Sequence, residues 1–421
     1  MEKTDITNDE MTLLRPACQD SAGRQAWAGK IDAMTKYDQR GVSASKEEVH
    51  AAIQHLDKGL YPNAFCKILP DLAAGNAKYC NLLHADTAGT KTSLAYIHWR
   101  ETGDLSVWPG VAQDAIVMNL DDMACAGCTN DIMLSSTIGR NKGLIPAEVI
   151  AAVIRGTSDF VEKMNEHGVN LYLAGGETAD VGDIVRTIDV GFTAFARMKR
   201  ADVLVPDIRS GDVIVGLASF GQSTYETEYN GGMGSNGLTA ARHDVLSKVY
   251  AEKYPESFDP RLPDEVVYTG NRLVTEKISV GNQELSIGKL ILSPTRTYLP
   301  VLQELLQDHR KKIHGLIHVT GGGQTKVLKF VKDAHIVKDN LFELPPLFKL
   351  IQESSKTPWR EMYQVFNMGH RMEIYVPAKY ADTVMAIAEK YGIEARVIGR
   401  VHKAVGEKVT VKSPFGTFEY A

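Results

Sequence analysis

The feature that constrains this chain most is the stretch His84-Ala-Asp-Thr-Ala-Gly-Thr-Lys91. A short apolar run precedes it and a helical pattern follows it, so we predict a strand, a tight loop and a helix in succession. Gly89 lets the backbone approach a ligand closely, and Thr90 and Lys91 offer an N–H, a hydroxyl and an ammonium to phosphate oxygens. Asp86 places an anion beside this predicted phosphate site, which indicates a divalent cation between the carboxylate and the phosphate.

This stretch is weak evidence when it is taken alone. It lacks the glycine spacing of a Walker loop, and the same residue types also form ordinary turns. A phosphate-binding role therefore depends on what the rest of the chain supplies.

Composition excludes several classes of protein. A length of 421 residues predicts two domains, and a net charge of −5 argues against a nucleic-acid binder with a basic face. No apolar run is long enough to span a bilayer, and the N-terminus has no signal pattern, so we expect a cytoplasmic protein without a membrane partner. Five scattered cysteines fit reduced thiols, and Cys125 and Cys128 are predicted to be small buried residues rather than a redox pair.

The chain divides into three predicted parts. Residues 1–36 are polar and form a flexible extension, with Met34 left open as an alternative start. Residues 37–205 form a first domain and residues 206–421 a second. A capping box at Ser45 and Glu48 predicts a first helix, with its apolar stripe at Val49, Ile53 and Leu56.

The first domain gathers acidic residues at unusual places. A nearly apolar helix is predicted over residues 111–126, and its polar residues include Asp114, Asn119, Asp121 and Asp122. Buried carboxylates are costly unless they are paired or coordinate a metal, so we prefer a ligand role over a solvated face. A strand over 170–174 is predicted to end in Gly175-Gly-Glu177, and residues 186–198 alternate like a second strand.

The second domain contains two glycine-rich turns. The loop 231–237 leads into a helix, and a strand over 316–319 ends in Thr320-Gly-Gly-Gly323 before another helix. Such a turn suits a phosphate at a helix N-terminus and is equally compatible with a plain flexible turn. We predict an irregular insertion over 252–290 and a helix opened by Pro294-Thr-Arg296.

Taken in order, these pieces resemble phosphoribosylformylglycinamidine cyclo-ligase, also called aminoimidazole ribonucleotide synthetase. The resemblance covers roughly residues 37–401. The matching fragments are Asp86-Thr-Ala-Gly-Thr-Lys91, Gly175-Gly-Glu-Thr-Ala179, Gly211-Asp-Val-Ile-Val-Gly-Leu-Ala-Ser219, Ser235-Asn-Gly237, Pro294-Thr-Arg296, His318-Val-Thr-Gly-Gly-Gly323, Glu361-Met and Phe366-Asn-Met-Gly369.

The resemblance implies a two-domain α/β (α+β) fold, in which the first domain pairs with its copy in a homodimer and the second is a larger α/β domain. It implies ATP, Mg²⁺ and a small-molecule substrate, and whether a monovalent cation takes part is left open. The reaction would close formylglycinamidine ribonucleotide to aminoimidazole ribonucleotide after phosphorylation of the formyl amide oxygen. The implied magnesium ligands are Asp86, Asp114, Asp122 and Glu177. The implied nucleotide and substrate contacts are Gly89, Thr90, Lys91, Asp114, Ser235, Asn236, Gly237, Gly321, Gly322 and Gly323; the residues expected to act in catalysis are Asp86, Lys91, Asp122 and Glu177.

One choice between two acids and two departures from the family pattern bear on this assignment. The family spacing favours Asp122 as a ligand, whereas helical geometry slightly prefers Asp121, which lies about 20° from Asp114 against about 80° for Asp122. The family usually has a histidine where this chain has Gly234, and a lysine where it has Asp38. The substrate is therefore open, and the alternative is another ATP-dependent member of the superfamily that phosphorylates a different oxygen. A non-catalytic nucleotide-binding protein is a third reading, which the intact set of acids argues against.

Overall fold

The computed structural model of the chain describes residues 36–42, 51–281 and 283–421. The predicted capping box at Ser45 and Glu48, together with Val49, Met34 and Cys18, lies outside these residues. The prediction that Ile53 and Leu56 form a buried apolar stripe on a helix is wrong. Residues 51–53 are helical but Leu56 is not, and both side chains are exposed. A short helix α1, Lys36–Gln39, precedes the first gap.

A five-stranded sheet builds the first domain. Its strands are β1 Ile68–Pro70, β2 Tyr79–Thr87, β3 Ile132–Arg140, β4 Leu171–Asp180 and β5 Ile188–Lys199, in the order β1-β2-β5-β3-β4. Only β3 and β4 are parallel, since helix α4, Ala147–Glu166, crosses between them. Helices α2, Lys91–Thr102, and α3, Val107–Cys125, complete the domain.

One face of this sheet is buried and the other is accessible. The alternation predicted for β5 is confirmed, because Ile188, Val190 and Phe192 are all buried on the face that packs against α3. On the opposite face one row crosses four strands, from Leu83 through Phe195 and Met133 to Tyr172. Three of these apolar side chains, Leu83, Met133 and Tyr172, are exposed. This face therefore carries apolar residues as the core face does, but the residues of this row are not buried.

The prediction for β4 was wrong in its end point. The strand does not stop at the two glycines but continues to Asp180, so Glu177 lies within the strand rather than at its tip. Gly175 has a φ of +88°, and a Cβ on Gly176 would lie 2.1 Å from Ser136 Oγ. The glycines therefore accommodate the irregular register between β3 and β4 at Leu134–Ser136 instead of ending the strand.

A seven-stranded sheet builds the second domain, and the chain reaches it across residues 200–211. Its order is β14-β13-β10-β12-β6-β11-β9. The strands are β6 Asp212–Ala218, β9 Gly315–His318, β10 Ala334–Lys338, β11 His370–Pro377, β12 Ala395–Lys403, β13 Lys408–Ser413 and β14 Gly416–Tyr420. The helices that flank it are α5 Leu238–Val245, α6 Val249–Lys253, α8 Leu299–His309, α9 Pro346–Ser355, α10 Trp359–Val365 and α11 Ala381–Lys390.

Three predictions in this domain need correction. The segment 252–290 is ordered, with a hairpin of β7 Lys277–Val280 and β8 Gln283–Ser286 and a helix α7 Ile287–Ile291, because its scattered apolar residues join the core. The helix predicted from Pro294 begins only at Leu299. The turn at 320–323 opens a 3₁₀ helix, Gly323–Phe330, instead of an α-helix. In the described part of the chain, no helix combines the length and apolar character needed to cross a membrane.

Candidate functional site

Helix α3 carries two buried carboxylates toward the second domain. Asp114 and Asp121 are seven residues apart, which is about two helical turns, so they share one face. Asp114 Oδ1 accepts hydrogen bonds from Thr295 N at 2.7 Å and Thr295 Oγ1 at 2.5 Å. Asp121 Oδ1 accepts from Thr297 Oγ1 at 2.7 Å and Tyr298 N at 3.3 Å. The segment that follows Pro294 is not helical, and its polar groups bind the acids of α3.

Lys91 is fully buried beside Asp114. Its Nζ donates to Asp114 Oδ1 at 2.7 Å, to the Ser293 carbonyl at 2.6 Å and to the Gly234 carbonyl at 3.3 Å. Burial lowers the pKa of Lys91 and raises the pKa of Asp114, and the charge of each partner opposes these shifts. The predicted contact of this ammonium with phosphate does not fit the arrangement, because its three N–H groups already have acceptors.

Asp122 lies between two histidines. Its Oδ1 accepts a hydrogen bond from His318 Nδ1 at 2.6 Å, and His84 Nε2 lies 3.5 Å from its Oδ2. His84 Nδ1 in turn donates to Asn119 Oδ1 at 2.9 Å, since the amide nitrogen of Asn119 is used by two backbone carbonyls. Burial acts to raise the pKa of Asp122, but the hydrogen bonds from His318 and His84 outweigh it and bring that pKa well below its usual range.

Arg371 reaches the same region from β11. Its Nη2 donates to Asp121 Oδ2 at 3.2 Å and to the Arg296 carbonyl at 2.9 Å. His318 Nε2 lies 4.0 Å from Asp121 Oδ2. We call Lys91, Asp114, Asp121, His318 and Arg371 the interdomain cluster; its members come from both domains, and all of them are buried.

The glycine-rich turns meet beside this cluster. Ser235 Oγ lies 3.1 Å from Thr295 Oγ1, and the Asn236 side-chain nitrogen lies 3.9 Å from the position of a Cβ on Gly321. Thr90 Oγ1 of the first domain lies 2.9 Å from Thr239 Oγ1 at the start of α5. The structure therefore brings together Gly89, Thr90, the turn at 235–237 and the turn at 321–323.

Glycine is required at two of these positions. Gly237 has a φ of +79°, and a Cβ there would lie 2.5 Å from the Phe366 ring. Gly323 has a φ of +50°, and its Cβ would lie 2.6 Å from the Tyr363 carbonyl oxygen. Close packing against the segment 363–366 therefore explains Gly237 and Gly323 as well as a ligand would. Gly322 also has a positive φ, of +96°.

The four predicted magnesium ligands are not brought together within one chain. Asp86 is half-buried on β2 and Glu177 is exposed on β4, with β5 and β3 between them. Neighbouring strands lie about 4.8 Å apart, so these two strands are separated by roughly 14 Å. Across the described ranges, no group of three or more His, Cys, Asp or Glu side chains has the geometry to hold a metal ion.

Sequence reasoning missed several members of the site. His84 stands at the start of the first stretch and His318 opens a quoted motif, but neither had a partner that the sequence could identify. Arg371 follows the Phe366–Gly369 fragment by two residues and was not singled out. Their common signal is a charged or polar residue in a strand that also carries apolar residues, which is informative because burial requires a partner.

The two sheets, with glycine turns of both domains facing one another, define a two-domain α/β protein of the AIR synthase-related class. Two family models match: "AIR synthase related protein, N-terminal domain" over residues 71–198, and the corresponding C-terminal domain over residues 209–412. Phosphoribosylformylglycinamidine cyclo-ligase of Methanocaldococcus jannaschii is 30% identical over 339 residues, which are 80% of this chain and 83% of that protein. The chain therefore belongs to the phosphoribosylformylglycinamidine cyclo-ligase family, and the resemblance drawn from its motifs is confirmed.

Solved structures are more distant. PurLQS from Thermotoga maritima has 13% identity and a TM-score of 0.46, with 82% of this chain covered. This chain spans only 44% of the PurLQS chain. Thiamine-monophosphate kinase from Stenotrophomonas maltophilia K279a has 14% identity and a TM-score of 0.47, with 87% of this chain and 96% of that chain covered. With both TM-scores below 0.5, neither likeness decides the substrate.

Proposed function

We propose that the protein closes formylglycinamidine ribonucleotide to aminoimidazole ribonucleotide, with ATP converted to ADP and phosphate. The observation that carries this proposal is the meeting of Thr90 with Thr239 and of Ser235 with Thr295. Thr90 belongs to the predicted nucleotide loop of the first domain, and Thr239 follows the predicted substrate turn 235–237 of the second domain by two residues. Ser235 contacts Thr295, which is itself hydrogen-bonded to Asp114 of the first domain. These contacts support a short path for a phosphoryl group between two ligands.

The reaction needs positioning more than covalent help from the protein. The formyl amide oxygen attacks the γ-phosphorus of ATP, and the bond from that phosphorus to the ADP oxygen breaks. A nitrogen of the amidine then attacks the activated formyl carbon, and the carbon–oxygen bond breaks as inorganic phosphate leaves. The two ligands must be aligned and the developing charge neutralised.

Residue roles follow from accessibility. Gly89 and Thr90, at the start of α2, would bind phosphate oxygens of ATP. Ser235, Asn236 and Gly237, with the turn at Gly321, Gly322 and Gly323, would bind the ribonucleotide. Lys91 would act indirectly, because its buried ammonium fixes Asp114 and the Gly234 carbonyl on opposite sides of the domain boundary.

Magnesium fits only part of the predicted acid set. The carboxylates of Asp86, which is half-buried, and Glu177, which is exposed, suit an ion that keeps waters and shares phosphate oxygens. Asp114 and Asp121 do not fit, because both are fully buried and receive hydrogen bonds from protein donors. Asp122 is engaged by two histidines. We propose that Asp86 holds the ion against the triphosphate, where magnesium would neutralise charge on the transferred group.

A homodimer would use the accessible face of the first sheet. The row of Leu83, Met133 and Tyr172 is apolar and exposed, and it reaches the edge of the sheet at β4, which carries Tyr172. A second copy of this chain would cover the row and bring its own Glu177 to the assembly. We also propose that the domains are bounded at 37–205 and 206–421 and that the protein works in the cytoplasm, where its free cysteines would stay reduced.

The test is the reaction itself. Purified protein is incubated with ATP, Mg²⁺ and formylglycinamidine ribonucleotide, and both ADP and aminoimidazole ribonucleotide are measured. We expect equimolar products from the wild type and a loss of about 100-fold or more in Asp86→Asn, because charge neutralisation of the transferred phosphoryl group is lost. Asp183→Asn, at an exposed aspartate of the same domain, is the matched control. ADP release without ring closure would support the alternative superfamily reaction instead.

A further inference from the structure

Arg371 occupies an irregular position in β11. Its neighbour His370 pairs with Ala218 of β6 and Met372 pairs with Leu217, so Arg371 is an extra residue without a counterpart on β6. Its own carbonyl accepts a hydrogen bond from Val319 N at 2.7 Å on the other side. Bulges of this kind redirect a side chain and are frequent beside functional sites. Here the bulge places a guanidinium in the interdomain cluster.

That guanidinium is only partly used. Nη2 makes both of its hydrogen bonds, whereas Nε and Nη1 have no partner among the residues that the structure describes. The residue is only 2% exposed, so bulk water does not satisfy these donors. A buried donor without an acceptor costs free energy. Two such N–H groups on one cation therefore indicate a site for an anionic acceptor.

The open donors lie beside the turn that begins at Gly234. Gly234 has a φ of +70°, and a Cβ there would lie 3.0 Å from Arg371 Cδ and 3.1 Å from Arg371 Nη1. Only glycine therefore leaves room for the guanidinium at this point of the loop. Lys91 Nζ donates to the Gly234 carbonyl from the other domain, so two buried cations flank the residue that precedes Ser235.

We propose that Arg371 binds a phosphate oxyanion of a substrate through its Nε–H and Nη1–H groups, next to the Ser235 turn. A guanidinium suits this task because two of its N–H groups can engage two oxygens of one phosphate. The identity of the anion rests on the proposed function, which offers two sources: the phosphate monoester of the ribonucleotide and the phosphoryl group that leaves ATP. Since Arg371 is buried, the anion enters when the loop 231–237 moves and the contact of Lys91 with the Gly234 carbonyl is released.

The first test uses binding alone. Wild-type protein labelled with ¹³C,¹⁵N-arginine is titrated with inorganic phosphate in the absence of nucleotide. The Arg371 Nε–H resonance is assigned by triple-resonance correlation and by its absence from Arg371→Lys. We expect this resonance to shift and saturate. A resonance that stays in place at every phosphate concentration would overturn the proposal, and the wild-type titration keeps this test decisive if the variant folds poorly.

A matched variant separates the site from general effects of a buried arginine. Arg242 is also buried, and its Nη1 donates hydrogen bonds to the Ser257 carbonyl and the Tyr268 hydroxyl, away from the cluster. Its Nε has no partner among the described residues, but with Nη1 satisfied it lacks the pair of open donors that Arg371 has. Arg242→Lys should keep the phosphate-dependent shift of Arg371. Arg371→Lys should bind phosphate about tenfold or more weakly, because the two-point contact is lost. Equal phosphate affinity in wild type and Arg371→Lys would also overturn the proposal.

Steady-state kinetics then distinguish the two sources of phosphate. If Arg371→Lys has a raised KM for formylglycinamidine ribonucleotide and an unchanged KM for ATP, Arg371 binds the phosphate monoester of the ribonucleotide. The reverse pattern would assign the transferred phosphoryl group, and no change in either KM would contradict a role in binding substrate. If the wild type closes no ring, the proposed function fails, while the phosphate titration still decides whether Arg371 binds an oxyanion.

Discussion

Asp122 shows how burial and hydrogen bonding compete at a single residue. Its two histidine partners lower its pKa against the effect of burial, and it raises the pKa of His84 in return. Burial alone would lower the pKa of His84, but the hydrogen bond and charge of Asp122 outweigh it. The pair is therefore most favourable when the imidazole carries a proton and the carboxylate does not.

This coupling predicts a measurable titration. We expect His84 to titrate above the ordinary histidine pKa of about 6.5, and Asp122→Asn to bring its pKa below that value, because burial then dominates. NMR of ¹³C-histidine-labelled protein against pH gives both values, and His84→Gln assigns the resonance. A wild-type His84 that titrates below the ordinary value would contradict the account.

The same shift fixes how stability depends on pH. Because the folded pKa of His84 is raised above its unfolded value, its contribution is complete below about pH 6.5 and is lost as pH rises through the folded pKa. The difference in unfolding free energy between wild type and His84→Gln should therefore be largest at mildly acidic pH. Denaturant titrations at several pH values measure it.

Helix α3 and the segment after Pro294 act as one element of the domain boundary. Asp114 and Asp121 accept hydrogen bonds from Thr295 and Thr297, and the helix begins only at Leu299. The sequence predicted α3, its acids and their shared face. It did not predict the non-helical segment, because Thr297 and Asp121 are 176 residues apart and nothing local shows that they meet.

Removing one hydroxyl tests this element. In Thr297→Val the buried Asp121 loses a donor while side-chain shape is nearly kept, so the free energy of unfolding should fall by about 1–3 kcal/mol. Urea unfolding measures the change in midpoint. Thr417→Val, at an exposed threonine of β14, is the control and should stay within about 0.5 kcal/mol of wild type. Equal stabilities of the two variants would show that Asp121 does not depend on this contact.

On the scale of the whole molecule, periodicity and motifs predicted much of the architecture. The alternating strand β5 and the nearly apolar helix α3 were both predicted from the sequence and are present. The continuation of β4 was not predicted, because two glycines are compatible with a turn as well as with an irregular strand register. In this protein the glycines at 175 and 176 lie at a register irregularity between β3 and β4. The contacts of Lys91 and Arg371 were missed because they depend on how two domains pack.

The exposed row of the first sheet predicts the oligomeric state. We expect the wild type to sediment as a dimer of the 46.3 kDa chain and Tyr172→Lys to shift toward monomer, because a buried lysine ammonium opposes association. Analytical ultracentrifugation measures both. Val405→Lys changes a fully exposed apolar residue on another surface and should leave the dimer intact. A monomeric wild type, or a Tyr172→Lys dimer of unchanged affinity, would contradict the proposed interface.

The central claim is that the formyl amide oxygen is phosphorylated and leaves as phosphate when the ring closes. Formylglycinamidine ribonucleotide labelled with ¹⁸O at the formyl oxygen, with unlabelled ATP, tests this most directly. The account predicts one ¹⁸O atom in each inorganic phosphate released with aminoimidazole ribonucleotide, and none when unlabelled substrate reacts in ¹⁸O-water. Ring-closed product accompanied by phosphate without the label from the formyl oxygen would contradict it.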